Sequence, residues 1–120
     1  MTKKILLIED YEPTAKMIED VLKIAGYEMS TAINGISGLQ KVTEEKPGLI
    51  LLDIMLPGID GLEVCKRLKA DPATAKIPVI AVSVKSSAED IKKGLAAGVD
   101  EYVTKPFDPQ QLIEVIKQRI

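Results

Sequence analysis

The sequence predicts an α/β domain built on a parallel sheet with helices on both faces. Three observations support this fold class. Short apolar runs alternate five times with segments of helical periodicity. The strongest runs are almost continuous in Ile, Leu and Val, which indicates strands buried on both faces, as in parallel sheets. Polar and charged residues stand where these runs end, and right-handed crossovers would gather those ends along one edge of the sheet.

The apolar runs define five strands, and each strand precedes a helix. The strands are predicted at residues 5–8, 27–32, 49–53, 77–83 and 101–104. The first helix is expected to start near Pro13 and stop at Gly26, the second to run from about Gly38 to Glu45, and the fourth to end at Gly98. The residues expected to face inward are Ile18, Val21, Leu22 and Ala25 in the first helix, Leu39 and Val42 in the second, Leu62, Cys65 and Leu68 in the third, Ala88, Ile91 and Leu95 in the fourth, and Leu112, Val115, Ile116 and Ile120 in the fifth.

Length and composition indicate one globular domain, residues 1–120. The chain has 120 residues, is 46% hydrophobic and carries a net charge of −2, which gives no overall preference for nucleic acid. Its single cysteine, Cys65, cannot form an intrachain disulfide, and its place on an apolar helix face favours core packing. Because no apolar run approaches the ~20 residues that span a bilayer, we expect a cytoplasmic protein without a membrane partner.

Two absences restrict the chemistry. The chain has no histidine, which excludes catalytic triads and histidine-based zinc sites, and one cysteine cannot form a zinc or iron–sulfur centre. Any bound metal must therefore be a hard cation held by oxygen ligands.

Polar side chains stand at the carboxyl ends of four of the five predicted strands. Glu9 and Asp10 follow the first strand, Asp53 and Ser83 end the third and the fourth, and Lys105 follows the fifth. Taken singly, each has an ordinary structural explanation as a cap, a turn residue or a satisfied hydroxyl. Together they place three carboxylates in one cleft. Since two carboxylates about 4 Å apart repel by roughly 4 kcal/mol at an effective dielectric of 20, the cleft needs cations, and Lys105 with Mg²⁺ would provide them.

With these residues at these positions, the chain resembles the receiver domain of two-component response regulators. The resemblance rests on "ILLIED", "LLDIMLPGIDG", "IPVIAVS" and "DEYVTKPF", in the order and spacing of that family, and it covers essentially the whole chain. It implies a flavodoxin-like, doubly wound, five-stranded sheet of order 2-1-3-4-5 in a three-layer αβα arrangement. It also implies a signalling phosphoacceptor rather than a turnover enzyme.

The resemblance further implies roles for particular residues. Asp53 matches the phosphoacceptor. Asp10, Asp53 and the backbone carbonyl of Met55 match the Mg²⁺ ligands, Glu9 matches an acidic position that acts through water, and Mn²⁺ is expected to substitute for Mg²⁺. Ser83 and Lys105 match the groups that contact the phosphoryl group.

The resemblance also implies a switch and partners. Ser83 and Tyr102 match a pair whose positions change on activation, and Lys105–Pro106 matches a cis peptide bond. The donor would be a sensor histidine kinase or a histidine phosphotransfer protein. The output face would comprise the fourth helix, fifth strand and fifth helix, which would bind a downstream effector protein or domain or form a phosphorylation-dependent homodimer.

Two residues depart from the family pattern, and other functions remain open. Glu9 stands where aspartate is commoner, and Val84 stands where alanine or glycine is usual. A flavodoxin-like redox protein would share the topology, but "EDYEP" is a poor phosphate-binding loop. A dehalogenase-type phosphatase requires a second aspartate two residues after the first, where this chain has Met55. A non-phosphorylated pseudo-receiver is a third alternative, and the presence of all the acidic residues argues against it. The sequence is compatible with a single-domain regulator or with a piece of a longer one.

Overall fold

The computed structural model describes residues 4–120, which form five strands and five helices in strict alternation. The strands are β1 (Lys4–Ile8), β2 (Glu28–Ala32), β3 (Leu49–Leu52), β4 (Val79–Ser83) and β5 (Glu101–Thr104). The helices are α1 (Glu12–Ile24), α2 (Gly35–Glu45), α3 (Gly61–Ala70), α4 (Ala88–Ala97) and α5 (Pro109–Arg119).

The five strands pair in parallel in the order β2-β1-β3-β4-β5, as predicted. The chain therefore winds outward from β1 in both directions, and the order reverses between β1 and β3. In sheets of this kind ligands bind at the carboxyl ends of the strands beside such a reversal. The residues that follow β1 and β3 are the acidic ones.

The sheet separates two aliphatic cores. Ile5 and Leu7 face α1 and α5, while the alternate residues Leu6 and Ile8 face α2 and α3, and all four are fully or almost fully buried. This alternation is the period of two that every strand imposes on its side chains. Burial on both faces confirms the interpretation of the continuous apolar runs and gives the three-layer αβα arrangement. Among the described residues, no helix combines the length and the apolar character needed to cross a membrane.

Local sequence signals account for most helix starts. The side chains of Asn34, Asp60, Ser87 and Asp108 accept hydrogen bonds from backbone N–H groups in the first turns of α2, α3, α4 and α5. Because Asn34 is the cap, α2 starts at Gly35. The sequence predicts a start at about Gly38, three residues later. In α1 no side chain caps the start, and Pro13 occupies the first turn as predicted.

Three of the predicted inward positions are wrong. Ala25 is exposed because it is already the cap residue that ends α1. Leu95 is 52% exposed, Ala88 is also exposed, and the buried residues of α4 are Gly94 and Ala97. Since α4 lies beside β5 at the margin of the sheet, less of its circumference is covered than an apolar stripe suggests.

The outer edge of β2 carries a specific contact. The Lys41 ammonium on α2 donates to the Thr31 carbonyl oxygen at 2.6 Å. The next carbonyl, that of Ala32, instead accepts from the Glu9 N–H on the β1 side. Because successive carbonyls point to opposite sides of a strand, the Thr31 oxygen faces the unpaired edge, and Lys41 occupies it.

Candidate functional site

Three carboxylates meet at the carboxyl ends of β1 and β3. One carboxylate oxygen from each of Glu9, Asp10 and Asp53 lies within 4.8 Å of the others. Glu9 and Asp53 are buried, while Asp10 is exposed. The Asp53 N–H donates to the Ile8 carbonyl oxygen at 3.0 Å, which continues the pairing of β3 with β1 beyond its last residue. The structure thus brings together the acidic residues that the sequence placed at strand ends.

Lys105 provides the positive charge in this cluster. Its Nζ lies 2.6 Å from Glu9 Oε1 and 3.3 Å from Asp53 Oδ2. The lysine follows β5, and the Lys105–Pro106 peptide bond is cis, as predicted. The Lys105 N–H donates to the Ser83 carbonyl oxygen at 2.8 Å, so the residue is fixed to the end of β4. The shorter contact is with Glu9, so in this arrangement Glu9 is the closer partner of the lysine.

Burial and neighbouring groups shift the pKa values of Glu9 and Lys105. Burial and a hydrogen bond with Asp53 raise the pKa of Glu9 to about 7, although Lys105 acts in the opposite direction. Burial alone would lower the pKa of Lys105, but the hydrogen bond to Glu9 and the charge of Asp53 outweigh it and raise that pKa. The lysine therefore stays charged at neutral pH, while Glu9 exchanges its proton near neutrality.

The raised pKa of Glu9 predicts a pH-dependent stability of the metal-free protein. A folded-state pKa of about 7 against 4.5 for the free side chain means that the folded state binds the proton more tightly. The free energy of unfolding should therefore fall as pH rises from about 4.5 to about 7, by up to about 3 kcal/mol from this group. Urea unfolding of wild type and Glu9→Gln across this range measures it. The difference in stability between the two proteins should change with pH, and a constant difference would contradict the assignment.

The loop after β3 holds the Asp53 side chain in place. Asp53 Oδ1 accepts the backbone N–H of Met55 at 2.9 Å, and the Gly61 N–H donates to the Ile54 carbonyl oxygen at 2.9 Å. A Cβ atom at Gly61 would collide with the Asp53 carbonyl oxygen and would lie 2.6 Å from the Ile54 Cα. Glycine is therefore required where α3 starts directly beneath this loop. Met55 itself has a half-exposed side chain, and its carbonyl remains a predicted metal ligand.

Gly61→Ala should destabilise the fold and displace the Asp53 loop. The added methyl group meets backbone atoms, which cannot turn away as a side chain can, so a cost of at least about 1–3 kcal/mol is expected. Thermal unfolding would measure it. Gly58→Asn is the matched control, because Gly58 has φ +76° and nothing within 4 Å of an added Cβ, and asparagine tolerates that backbone conformation. Equal melting temperatures for Gly61→Ala and wild type would refute the steric explanation.

The side chains of Ser83 and Tyr102 both contact the backbone of Lys85. Ser83 is fully buried, and its Oγ accepts the backbone N–H of Lys85 at 3.2 Å. The Tyr102 hydroxyl donates to the carbonyl oxygen of Lys85 at 2.7 Å. A shift of the Ser83 hydroxyl would therefore act on the same backbone segment that holds the tyrosine. Sequence reasoning missed Lys85, because its backbone makes both contacts and its side chain carries no signal for them.

Val84 and Cys65 are the two other residues that the sequence singled out. Val84 is 58% exposed after β4, which excludes a role in the core. Cys65 is fully buried among aliphatic side chains, and burial raises the pKa of its thiol to about 11. The cysteine is thus an unreactive packing residue, as predicted.

The carboxylate cluster fits a small, hard divalent cation. Octahedral Mg²⁺ binds oxygen at 2.0–2.1 Å, so its opposite ligands are about 4 Å apart, and oxygens already within 4.8 Å need only a small contraction. A cavity of about 500 Å³ adjoins Glu9 and Asp10, lined also by Ile33 and Pro57, and leaves room for waters on the open side. Asp10, exposed toward solvent, is the carboxylate that a cation would meet first.

Comparison with known proteins agrees with the geometry. The sequence model of the family described as "Response regulator receiver domain" matches residues 5–117. The chain belongs to this receiver family. The receiver is 42% identical over 115 residues to the phosphate regulon transcriptional regulatory protein PhoB of Pseudomonas aeruginosa, which covers 96% of this chain and 50% of that protein. The chain therefore spans half the length of this relative.

Solved structures show the same fold. A CheY-like response regulator receiver domain protein from Methanospirillum hungatei superposes with a TM-score of 0.90 at 31% identity, covering 98% of this chain and 93% of that one. The receiver domain of the sensor histidine kinase PA1611 from P. aeruginosa, described with a magnesium ion coordinated in its active-site cleft, gives 0.91 at 27% identity, covering 99% and 98%. Membership of the receiver family favours the phosphoacceptor interpretation over the flavodoxin-like and phosphatase alternatives.

Proposed function

We propose that this receiver accepts a phosphoryl group on Asp53 in a Mg²⁺-dependent reaction and thereby changes its output face. The observation that supports it most directly is the carboxylate cluster of Glu9, Asp10 and Asp53, with the Lys105 ammonium between two of its members. Within this cluster Asp53 accepts the Met55 N–H and contacts Lys105, and it is the residue that matches the phosphoacceptor of the receiver family.

These positions suit the transfer of a phosphoryl group to Asp53. An Asp53 carboxylate oxygen would attack the phosphorus of a phosphohistidine, forming an O–P bond while the N–P bond to the imidazole breaks. When bound by Asp10, Asp53 and the Met55 carbonyl, with Glu9 acting through water, Mg²⁺ supplies positive charge for the phosphoryl oxygens, and Mn²⁺ should do the same. Lys105 supplies positive charge from the side opposite the metal. Its ammonium would leave the Glu9 carboxylate and contact a phosphoryl oxygen instead. Such positioning and charge neutralisation is the main contribution a protein makes to phosphoryl transfer.

The switch would use the Ser83–Lys85–Tyr102 connection. If the Ser83 hydroxyl turns to donate to a phosphoryl oxygen, its contact with the Lys85 N–H is weakened, and the Lys85 carbonyl that holds Tyr102 shifts with it. A change from 1:99 to 99:1 between two states needs about 5.5 kcal/mol, which a few charge-assisted hydrogen bonds of roughly 1.5–3 kcal/mol each can supply. The output face would comprise α4, β5 and α5, where Leu95 is already exposed.

The partners are those that membership of the receiver family implies. The donor would be a sensor histidine kinase or a histidine phosphotransfer protein, and the switched face would bind an effector protein or domain or a second phosphorylated copy. Residues 1–120 would form one receiver domain that acts in the cytoplasm as a phosphoacceptor rather than a turnover enzyme, with no direct contact to nucleic acid or membrane.

Intact mass spectrometry after incubation with acetyl phosphate tests the proposal. One phosphoryl group should be added when Mg²⁺ or Mn²⁺ is present, and none when the metal is chelated. Phosphoryl addition that is the same with and without the metal would refute the proposed function. So would the absence of any phosphoryl addition when the metal is present.

Val84→Ala should shorten the lifetime of the phosphorylated form. Val84 is stiff at χ1 and stands directly after Ser83, so its two methyl groups are expected to hinder a hydrolytic water approaching opposite the Asp53 oxygen. A tenfold faster loss corresponds to only about 1.4 kcal/mol of barrier. Because Val84 is mostly exposed, the melting temperature and the Mg²⁺ affinity should change little. The decay of the adduct measures the effect, and an unchanged or slower rate would contradict it.

A further inference from the structure

Gly94 is unusual for its position. It lies inside α4, two turns after the helix start, and is buried. Glycine within a helix is unfavourable relative to alanine, because it has more backbone freedom to lose on folding. A buried glycine at this point therefore suggests that something approaches the helix too closely for a side chain.

The group that approaches Gly94 is the ring of Tyr102. A Cβ atom at residue 94 would lie 2.9 Å from both Cδ2 and Cε2 of Tyr102, closer than carbon atoms pack, and at an ordinary 3.5 Å from Val99 Cγ2. One edge of the tyrosine ring thus occupies the space that any other residue at position 94 would need. The conflict involves the ring alone, since Val99 tolerates the added atom.

The tyrosine is also held at its far end. Its hydroxyl donates to the Lys85 carbonyl oxygen at 2.7 Å, and Lys85 is attached in turn to the Ser83 hydroxyl. The ring is therefore fixed between the bare backbone of α4 on one side and the β4–α4 loop at its tip. A displacement of the ring from Gly94 would therefore also act on the hydroxyl contact with Lys85.

We propose that Gly94 is a positioning residue for Tyr102. Its missing side chain leaves room for the ring in the position seen here and so affects the equilibrium between this position and the one that the ring takes up on switching. This inference rests on the proposed switching role of Tyr102. A methyl group at position 94 would displace the ring before any phosphoryl group is present. It would thereby shift the output face by a route that does not involve the carboxylate cluster.

The test compares Gly94→Ala in two backgrounds, both without metal or phosphoryl donor. In the wild-type background the ring resonances of Tyr102 and the amide resonances of Lys85 should shift, and the melting temperature should not rise. In the Tyr102→Ala background the clash is gone, so the same substitution should raise the melting temperature through better helix propensity. A rise of equal size in both backgrounds, with the Tyr102 ring resonances unmoved, would overturn the proposal.

A measurement on the wild type guards against a variant that does not fold. Nuclear Overhauser contacts between the Gly94 Hα atoms and the Tyr102 ring protons should be strong, and their absence would overturn the proposal without any substitution. Phosphoryl addition from acetyl phosphate with Mg²⁺ is measured separately on Gly94→Ala and should occur at Asp53 as in wild type. Failure of wild type to accept the phosphoryl group would refute the proposed function, whereas the ring measurements report only on Gly94 and Tyr102.

Discussion

Asp53→Asn is expected to abolish phosphoryl addition from acetyl phosphate. The amide oxygen of asparagine carries no negative charge and is a far weaker nucleophile than the carboxylate that it replaces. The fold should survive, because the amide oxygen can still accept the Met55 N–H that now bonds to Asp53 Oδ1 at 2.9 Å. Intact mass spectrometry with Mg²⁺ should therefore show an unmodified chain where wild type gains one phosphoryl group.

Asp60→Asn is the matched control for this substitution. Asp60 lies in the same loop, is exposed and caps α3 by accepting the Glu63 N–H at 2.9 Å, a role that asparagine performs equally well. It should accept a phosphoryl group as wild type does. A phosphoryl adduct that persists in Asp53→Asn would show that another residue is the acceptor.

Lys105→Ala should retain Mg²⁺ binding and lose the conformational response. The substitution removes the cation that lies 2.6 Å from Glu9 and 3.3 Å from Asp53, which leaves the carboxylates with more uncompensated negative charge. Affinity for Mg²⁺ should be unchanged or tighter, by up to about tenfold, which corresponds to roughly 1.4 kcal/mol. A phosphoryl group would lose its positive partner opposite the metal, so the switch would no longer be driven.

Amide chemical shifts around Tyr102 on addition of beryllofluoride, a phosphoryl mimic, measure this response. They should change in wild type and stay nearly constant in Lys105→Ala, while titration with Mg²⁺ alone reports the affinity. Lys85→Ala is a suitable control, because the hydrogen bonds of Lys85 with Ser83 and Tyr102 use its backbone N–H and carbonyl oxygen, which alanine keeps. Chemical-shift changes of wild-type size in Lys105→Ala would show that the lysine does not couple the phosphoryl site to Tyr102.

The carboxylate cluster was predictable because each member directly follows a strand. Once Ile5–Ile8 and Leu49–Leu52 are recognised as buried parallel strands, their carboxyl ends must lie side by side, and Glu9, Asp10 and Asp53 come with them. The strand assignment is robust because continuous aliphatic runs bounded by charges have few alternatives. The position of Lys105 follows in the same way from the end of β5.

The errors occur where a helix is only partly covered. Helical periodicity marks Leu95 as an inward residue, but α4 lies at the margin of the sheet and approaches its neighbours through Gly94 and Ala97. Small residues carry little hydrophobic signal, so the closest contact of α4 is nearly invisible to a pattern of apolar side chains. A glycine inside a helical pattern is the signal that could have revealed it.

The link from Ser83 to Tyr102 could not be predicted for a different reason. It uses the amide and the carbonyl of Lys85, and every residue but proline has both. Which backbone groups are reached depends on the course of the β4–α4 loop, and the sequence there, "VKSS", does not determine that course.

The ammonium of Lys41 on the Thr31 carbonyl has a consequence for how copies of this protein behave at high concentration. An open strand edge is a template on which another strand can add, and such addition leads to aggregation. Here a charged side chain occupies one of the acceptor positions that an incoming strand would use. Growth of a continuous sheet across two molecules through β2 is thereby opposed at this position.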